Sequence, residues 1–253
     1  MQFEDASCYL FYERLPASVA GGDVAPLLFL HGALGSRQEV RHLLAAFPER
    51  ECILVDLPGH GLSHAPSEPL TIATTADLLL RLLRSLEIAS VDIVGYSLGG
   101  YLGIEMALRS PMHVRSIISH AMKFYWSEEM IETALQGLDW DAVRQNERRR
   151  EKLESFHTGS GAEQAFRIAS DIIAGFRDDR LTEERVKQLR QPLLLSVGDT
   201  DQLVPLAEIL SLYQSLGSQN AALSVLEKTH HAIGSVQPEP FAQAARHFWK
   251  AML

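Results

Sequence analysis

Along the chain, short apolar runs alternate with longer stretches whose apolar residues recur every three to four positions. Leu27-Leu28-Phe29-Leu30, Cys52-Ile53-Leu54-Val55-Asp56, Val91-Asp92-Ile93-Val94, Val114 to Ser119, Leu193-Leu194-Leu195-Ser196-Val197 and Leu223 to Leu226 are short and largely apolar. That is the pattern of strands covered on both faces. Helical spacing is clearest over 72–87, where Leu78, Leu79, Leu82, Leu83 and Leu86 recur at helical intervals. Residues 37–47, 98–109, 205–216 and 239–252 also read as helices. Alternating strands and helices build βαβ units, so the pattern predicts an α/β fold: a mostly parallel central sheet flanked by helices. The segment 2–13 alternates weakly and predicts edge strands. Gly21-Gly22-Asp23 is the first clear breaker.

Residues 122–189 depart from this alternation. They contain no strand-like run and are polar, charged and helical in pattern. Such an insertion between two sheet strands, after the strand that follows the helix at 98–109, predicts a helical cap over a core made of 1–121 and 190–253. Ligands of open α/β sheets bind outside the carboxyl ends of the strands. A cap in that place would control access and exclude water.

Composition narrows the partners. With 253 residues, 46% of them hydrophobic, the chain can bury one sizeable core. Thirty-two acidic against 23 basic residues give a net charge of −9, which disfavours nucleic acid and anionic membranes. No apolar run approaches the roughly 18 residues of a bilayer span. Met1-Gln2-Phe3-Glu4-Asp5 carries acids where a secretory leader is basic, so a cytoplasmic location is expected. Cys8 and Cys52 make neither a disulfide framework nor a metal motif. The expected partner is a small-molecule substrate.

The sharpest chemical signal is Gly95-Tyr96-Ser97-Leu98-Gly99, followed by Gly100, between the strand at 91–94 and the helix at 98–109. A serine on a tight strand-to-helix bend is held clear of its neighbours, and the N–H groups that open the helix point at it. Three further blocks accompany it: HGALGS at 31–36, DLPGHGLS at 56–63 and GDTDQLVP at 198–205, with His230 and His231 some thirty residues later. Both histidines, and both Asp199 and Asp201, follow predicted strands.

With these four blocks the chain resembles the α/β-hydrolase family from about residue 26 to the C-terminus, the cap excluded. The resemblance implies a nucleophile, an acid and a histidine in that chain order, with Ser97 first. The family pattern Gly-x-x-Asp followed by x-x-Val-Pro selects Asp201, through Gly198, Val204 and Pro205, and leaves Asp199 in a turn. Counting back from Pro238-Glu239-Pro240-Phe241 selects His231, and His230 then occupies a place that is usually small. The likeness also implies an oxyanion hole made by the N–H groups of Ala33 and Leu98, with His31 and His60 as loop braces. No metal and no organic cofactor are expected. Serine rather than aspartate at the bend argues against epoxide and carbon–halogen cleavage.

Around the cap, Phe124, Tyr125 and Trp126 are candidates for a substrate pocket, weighed against simple packing. Lys123 could meet a substrate carboxylate, although a solvated lysine is the better reading. Arg148-Arg149-Arg150 with Lys152 suggests an anion clamp, but Glu147, Glu151 and Glu154 interleave at helical spacing, which favours a solvated face. The expected reaction is hydrolysis of a carboxylic ester or thioester through an acyl-enzyme. Two alternatives stand beside it. One is carbon–carbon cleavage or a lyase reaction of the menaquinone-pathway type on the same residues. The other is a binding protein without turnover.

Overall fold

One sheet of eight strands organises the computed structural model, which describes residues 1–5, 8–19, 24–217 and 220–252. The strands are β1 (Gln2–Asp5), β2 (Cys8–Leu15), β3 (Leu27–Leu30), β4 (Cys52–Val55), β5 (Val91–Tyr96), β6 (Val114–His120), β7 (Leu193–Gly198) and β8 (Ala221–Leu226). They lie in the order β1-β2-β4-β3-β5-β6-β7-β8. β1 and β2 pair antiparallel at one edge, and every pairing from β4 through β8 is parallel. The predicted α/β class and edge strands are therefore observed. The Gly21-Gly22-Asp23 breaker lies outside the described residues.

The helices among the described residues are α1 (Arg37–Val40), α2 (Ile72–Ser85), α3 (Leu98–Arg109), α4 (Glu128–Gly137), α5 (Trp140–Val143), α6 (Glu147–Phe156), α7 (Ala162–Gly175), α8 (Glu183–Val186), α9 (Leu206–Leu216) and α10 (Pro238–Met252). Successive strand residues point to opposite faces, and β3 shows why its run is apolar throughout. Leu28 and Leu30 join one core with α2, α3 and α9, whereas Leu27 and Phe29 join the other with α10. Neither face is wet, so no polar position is tolerated there. None of these helices is long and apolar enough to cross a membrane.

The helix predicted over 37–47 forms differently. After α1 the chain tightens into a 3-10 helix over Arg41–Ala46. Its buried residues Leu43 and Ala46 continue from buried Val40, just before it, at every third position. That spacing matches three residues per turn rather than 3.6.

Between β6 and β7 the chain runs through α4 to α8 without a strand. Polar caps begin several of these short helices: the Ser127, Asp139, Asn146 and Thr182 side chains each accept an N–H of the first turn. Such caps are worth about 1 kcal/mol each, which counts in helices with so little buried surface. Two tethers fix this segment to the sheet. At its start, the Glu208 carboxylate of α9 accepts the N–H groups of Phe124 at 2.8 Å and Tyr125 at 3.1 Å. Further on, His157 accepts the Gly61 N–H, and the Gly159 N–H reaches the Gly61 carbonyl at 3.1 Å.

Candidate active site

The carboxyl ends of β5, β7 and β8 carry the three residues singled out in the sequence. Ser97 follows β5 and opens α3 with φ 51° and ψ −114°. A non-glycine residue rarely adopts positive φ, and holding one there costs of order 1–3 kcal/mol. Close packing enforces the bend. The Ser97 N–H donates to the His120 carbonyl at 2.8 Å. A Cβ on Gly99 would collide with the Leu30 backbone, so only glycine lets α3 approach the end of β3. A Cβ on Gly32 would come within 2.7 Å of the Tyr96 ring and 3.3 Å of the Ser97 Cβ, which brings the loop after β3 against the serine.

Asp201 and His231 meet although thirty positions apart. His231 Nδ1 lies 2.9 Å from Asp201 Oδ2. The other carboxylate oxygen accepts the N–H groups of Leu203 at 2.9 Å and Val204 at 2.8 Å. With every Asp201 acceptor engaged, Nδ1 carries the proton and Nε2 is left as the basic atom. Burial pushes the Asp201 carboxyl up, but the hydrogen bond from His231 and those from Val204 and Leu203 outweigh it, and the net shift is downward. The His231 ring packs 5.5 Å from the Tyr96 ring, beside the serine bend. Asp199 instead accepts the Thr229 N–H at 3.2 Å, a turn contact. His230 is exposed, and its ring reaches Thr200 Oγ1 at 3.0 Å rather than either aspartate.

A cavity of about 410 Å³ opens over Ser97. Ala33 and Leu98 line it, and neither N–H donates to another protein group among the described residues. Both therefore remain available beside the serine, and the N-terminus of α3 adds positive potential there. Trp126 lines the cavity, as do Tyr101, Ile173 and Phe176. Phe124 and Tyr125 do not. The Glu208 grip on their N–H groups turns Phe124 into the core and leaves the Tyr125 hydroxyl donating to Glu183 at 2.6 Å. Lys123 is no solvated lysine: it lines the cavity and pairs with Glu208 at 3.2 Å. Arg149 lines the cavity too, so the basic run is not wholly a solvated face.

The loop carrying Ala33 rests on a ladder of three buried imidazoles. His31 Nε2 accepts the Leu57 N–H at 2.9 Å, and its Nδ1–H donates to the Gly32 carbonyl at 2.7 Å. His60 Nε2 accepts the Leu34 N–H at 3.3 Å, and its Nδ1–H donates to the Pro58 carbonyl at 2.9 Å. The rings of His31 and His60 lie 5.3 Å apart, those of His60 and His157 5.5 Å apart. Burial lowers the pKa of all three, His31 to about 3. Each is therefore a neutral ring of fixed tautomer. His31 and His60 are the expected braces. His157 went unrecognised because nothing in the polar insertion marks it. A fourth buried imidazole, His120, hydrogen-bonds Ser196 Oγ at 3.0 Å and is pushed down to about 4, first by burial.

Comparison with known proteins agrees with this architecture. The uncharacterized hydrolase YugF of Bacillus subtilis (strain 168) is 24% identical over 250 residues, covering 88% of this chain and 89% of that protein. A 2-succinyl-6-hydroxy-2,4-cyclohexadiene-1-carboxylate synthase of Klebsiella pneumoniae (strain 342) is 39% identical over 92 residues, 36% of each chain. Among solved structures, a carboxylesterase of the thaumarchaeon Nitrososphaera gargenis superposes with a TM-score of 0.83 at 16% identity, covering 100% of this chain and 98% of its own, a likeness of fold. The profile of the alpha/beta hydrolase fold matches residues 25–169, more than half of the sequence, and the chain belongs to that family.

Proposed function

We propose that the protein is a serine hydrolase that cleaves a carboxylic ester or thioester of a small molecule through an acyl-enzyme. Ser97 is the nucleophile, His231 the general base and acid, and Asp201 the residue that orients it. One observation carries the reading: the Asp201–His231 pair packs against Tyr96, the residue just before a strained serine at the N-terminus of a helix. In the forward step His231 Nε2 takes the Ser97 hydroxyl proton as Oγ attacks the carbonyl carbon. Negative charge gathers on the carbonyl oxygen, where the N–H groups of Ala33 and Leu98 receive it, each worth about 2.7–4 kcal/mol. His231 returns the proton to the leaving group, and water repeats the sequence to release the acid. In this reading residues 122–189 act as a cap, and Trp126 with the other apolar lining holds the substrate.

A fluorophosphonate probe tests the proposal, because it traps a serine that a base activates. The expected result is labelling of the wild type and none of Ser97→Ala, with hydrolysis of short-chain aryl esters lost in parallel. Folded wild-type protein that takes no label overturns the reading. A second reading draws on the likeness to the Klebsiella synthase. The same serine and histidine would then serve proton abstraction and elimination, and an unlabelled serine would favour it.

A further inference from the structure

The cavity over Ser97 has an uneven charge. Its walls are mostly apolar, two cations, Lys123 and Arg149, line it, and no carboxylate does. Lys123 is already engaged: its ammonium lies 3.2 Å from Glu208 and 5.7 Å from the Trp126 ring. Arg149 is different. It sits in the first turn of α6, where its backbone N–H goes to Asn146 Oδ1 at 3.0 Å. Its guanidinium has no ion-pair partner among the described residues, although neighbouring Arg150 lies 3.9 Å from Glu154. Arg149, Ala33, Gly137 and Leu203 are the exposed members of the lining. They are reachable from solvent, so Arg149 stands on the open side of the cavity.

We propose that Arg149 binds a carboxylate on the substrate, at the end remote from the bond that Ser97 attacks. The inference rests on the hydrolase reading and narrows it to esters or thioesters whose apolar body carries one terminal carboxylate. A guanidinium presents two parallel N–H donors that match a carboxylate and holds its charge at every working pH. On a protein of net charge −9, an unpaired cation lining the cavity gives anions a local attraction that the net charge of the surface denies them. The apolar walls make the opposite demand, since a substrate charged along its length would be stripped of water without compensation. One charge at the mouth and an uncharged remainder satisfy both.

Isothermal titration calorimetry with non-hydrolysed amides tests the proposal without requiring turnover. Glutaric acid monoanilide carries the terminal carboxylate on the acyl side, 4-(valerylamino)benzoate on the amine side, and valeranilide is the uncharged control. At least one acid is expected to bind about tenfold more tightly than valeranilide, and the tighter of the two identifies which half of the substrate faces Arg149. Arg149→Gln is expected to abolish that preference and Arg149→Lys to keep part of it. Arg148→Gln, one position away and outside the lining, is expected to keep it whole. Circular dichroism confirms that each variant is folded. The proposal is overturned if neither acid binds better than valeranilide, if the preference survives Arg149→Gln, or if Arg148→Gln removes it equally. A carboxylate preference that depends on Arg149, in a protein whose Ser97 takes no fluorophosphonate label, would sink the hydrolase reading alone.

Discussion

His157 donates its Nε2–H to the carbonyl oxygen of Leu34 at 3.1 Å, across 123 positions of sequence. Leu34 is held at φ 58° and also gives its N–H to His60, so imidazoles grip both of its backbone groups. The preceding residue is Ala33, which lines the cavity. Docking of the inserted helices is thereby coupled to the aim of a proposed oxyanion donor.

That coupling makes His157 a positioning residue. His157→Ala is expected to lower kcat for a neutral aryl ester about tenfold with KM little changed, because the loss falls on charge that develops only in the transition state. His157→Asn, whose amide can still donate to Leu34, is expected to recover part of it. Steady-state kinetics on folded variants decide the matter, and an unchanged kcat in His157→Ala refutes the coupling.

The adjacent histidines should separate sharply. His231→Ala is expected to lower kcat by ~10³-fold or more, as loss of a general base does when the rest of the constellation stays in place. His230→Ala should stay within a few-fold, since its ring contacts Thr200 and not Asp201. If His230→Ala proves to be the inactive variant, the base has been assigned to the wrong ring.

Asp201→Asn presents an amide where the carboxylate took the Nδ1 proton. The tautomer of His231 is then free to reverse, and kcat is expected to fall by roughly 10³–10⁴-fold with little change in thermal midpoint. Loss of most of the folded signal instead would mean that Asp201 serves structure through Leu203 and Val204.

Stability should fall on mild acidification. His31 and His120 have folded pKa values of about 3 and about 4, below the ordinary 6.5. Above pH 6.5 neither the folded nor the unfolded ring is protonated, and these groups add no pH dependence. Below 6.5 the unfolded rings take up protons that the folded ones refuse, so stability declines until the folded pKa is reached. Each ring contributes about 1.4 kcal/mol per pH unit in that window. Urea unfolding at pH 7, 6 and 5 reads the slope, and a flat profile contradicts the buried neutral state.

Far from the cavity, Asp92 joins β5 to its surroundings. Its buried carboxylate takes hydrogen bonds from Arg50 at 2.6 Å, Arg115 at 2.6 Å and Ser116 at 2.6 Å. Asp92→Ala leaves the Arg50 guanidinium buried without its counter-charge, a change expected to cost about 3–5 kcal/mol. Denaturant titration checks the loss.

The sheet and the serine bend were legible because each rests on local sequence. A strand buried on both faces needs an apolar run, and a tight bend needs glycine at fixed offsets. The Asp201–His231 pair was legible only through the family pattern, since nothing local distinguishes Asp201 from Asp199. His157 was not legible at all, and Arg149 only as one of a basic run weighed as an anion clamp against a solvated face. Each lies among polar residues whose partners come from elsewhere in the chain, and the spacing of Arg149 with Glu147 and Glu151 fits a solvated helix equally well. Phe124 and Tyr125 could not be divided between pocket and packing from sequence, because their backbone N–H groups are held by Glu208, more than eighty residues away.

Glu208 at Phe124 and Tyr125 and Gly61 at His157 hold the two ends of the stretch that carries α4 to α6. Length changes outside that span would pull the docked histidine away from Leu34, whereas changes in the exposed turns within it fall on the rim. Descendants of this protein could therefore adopt longer or bulkier ligands by lengthening the chain between the two anchors while the reacting groups stay where they are.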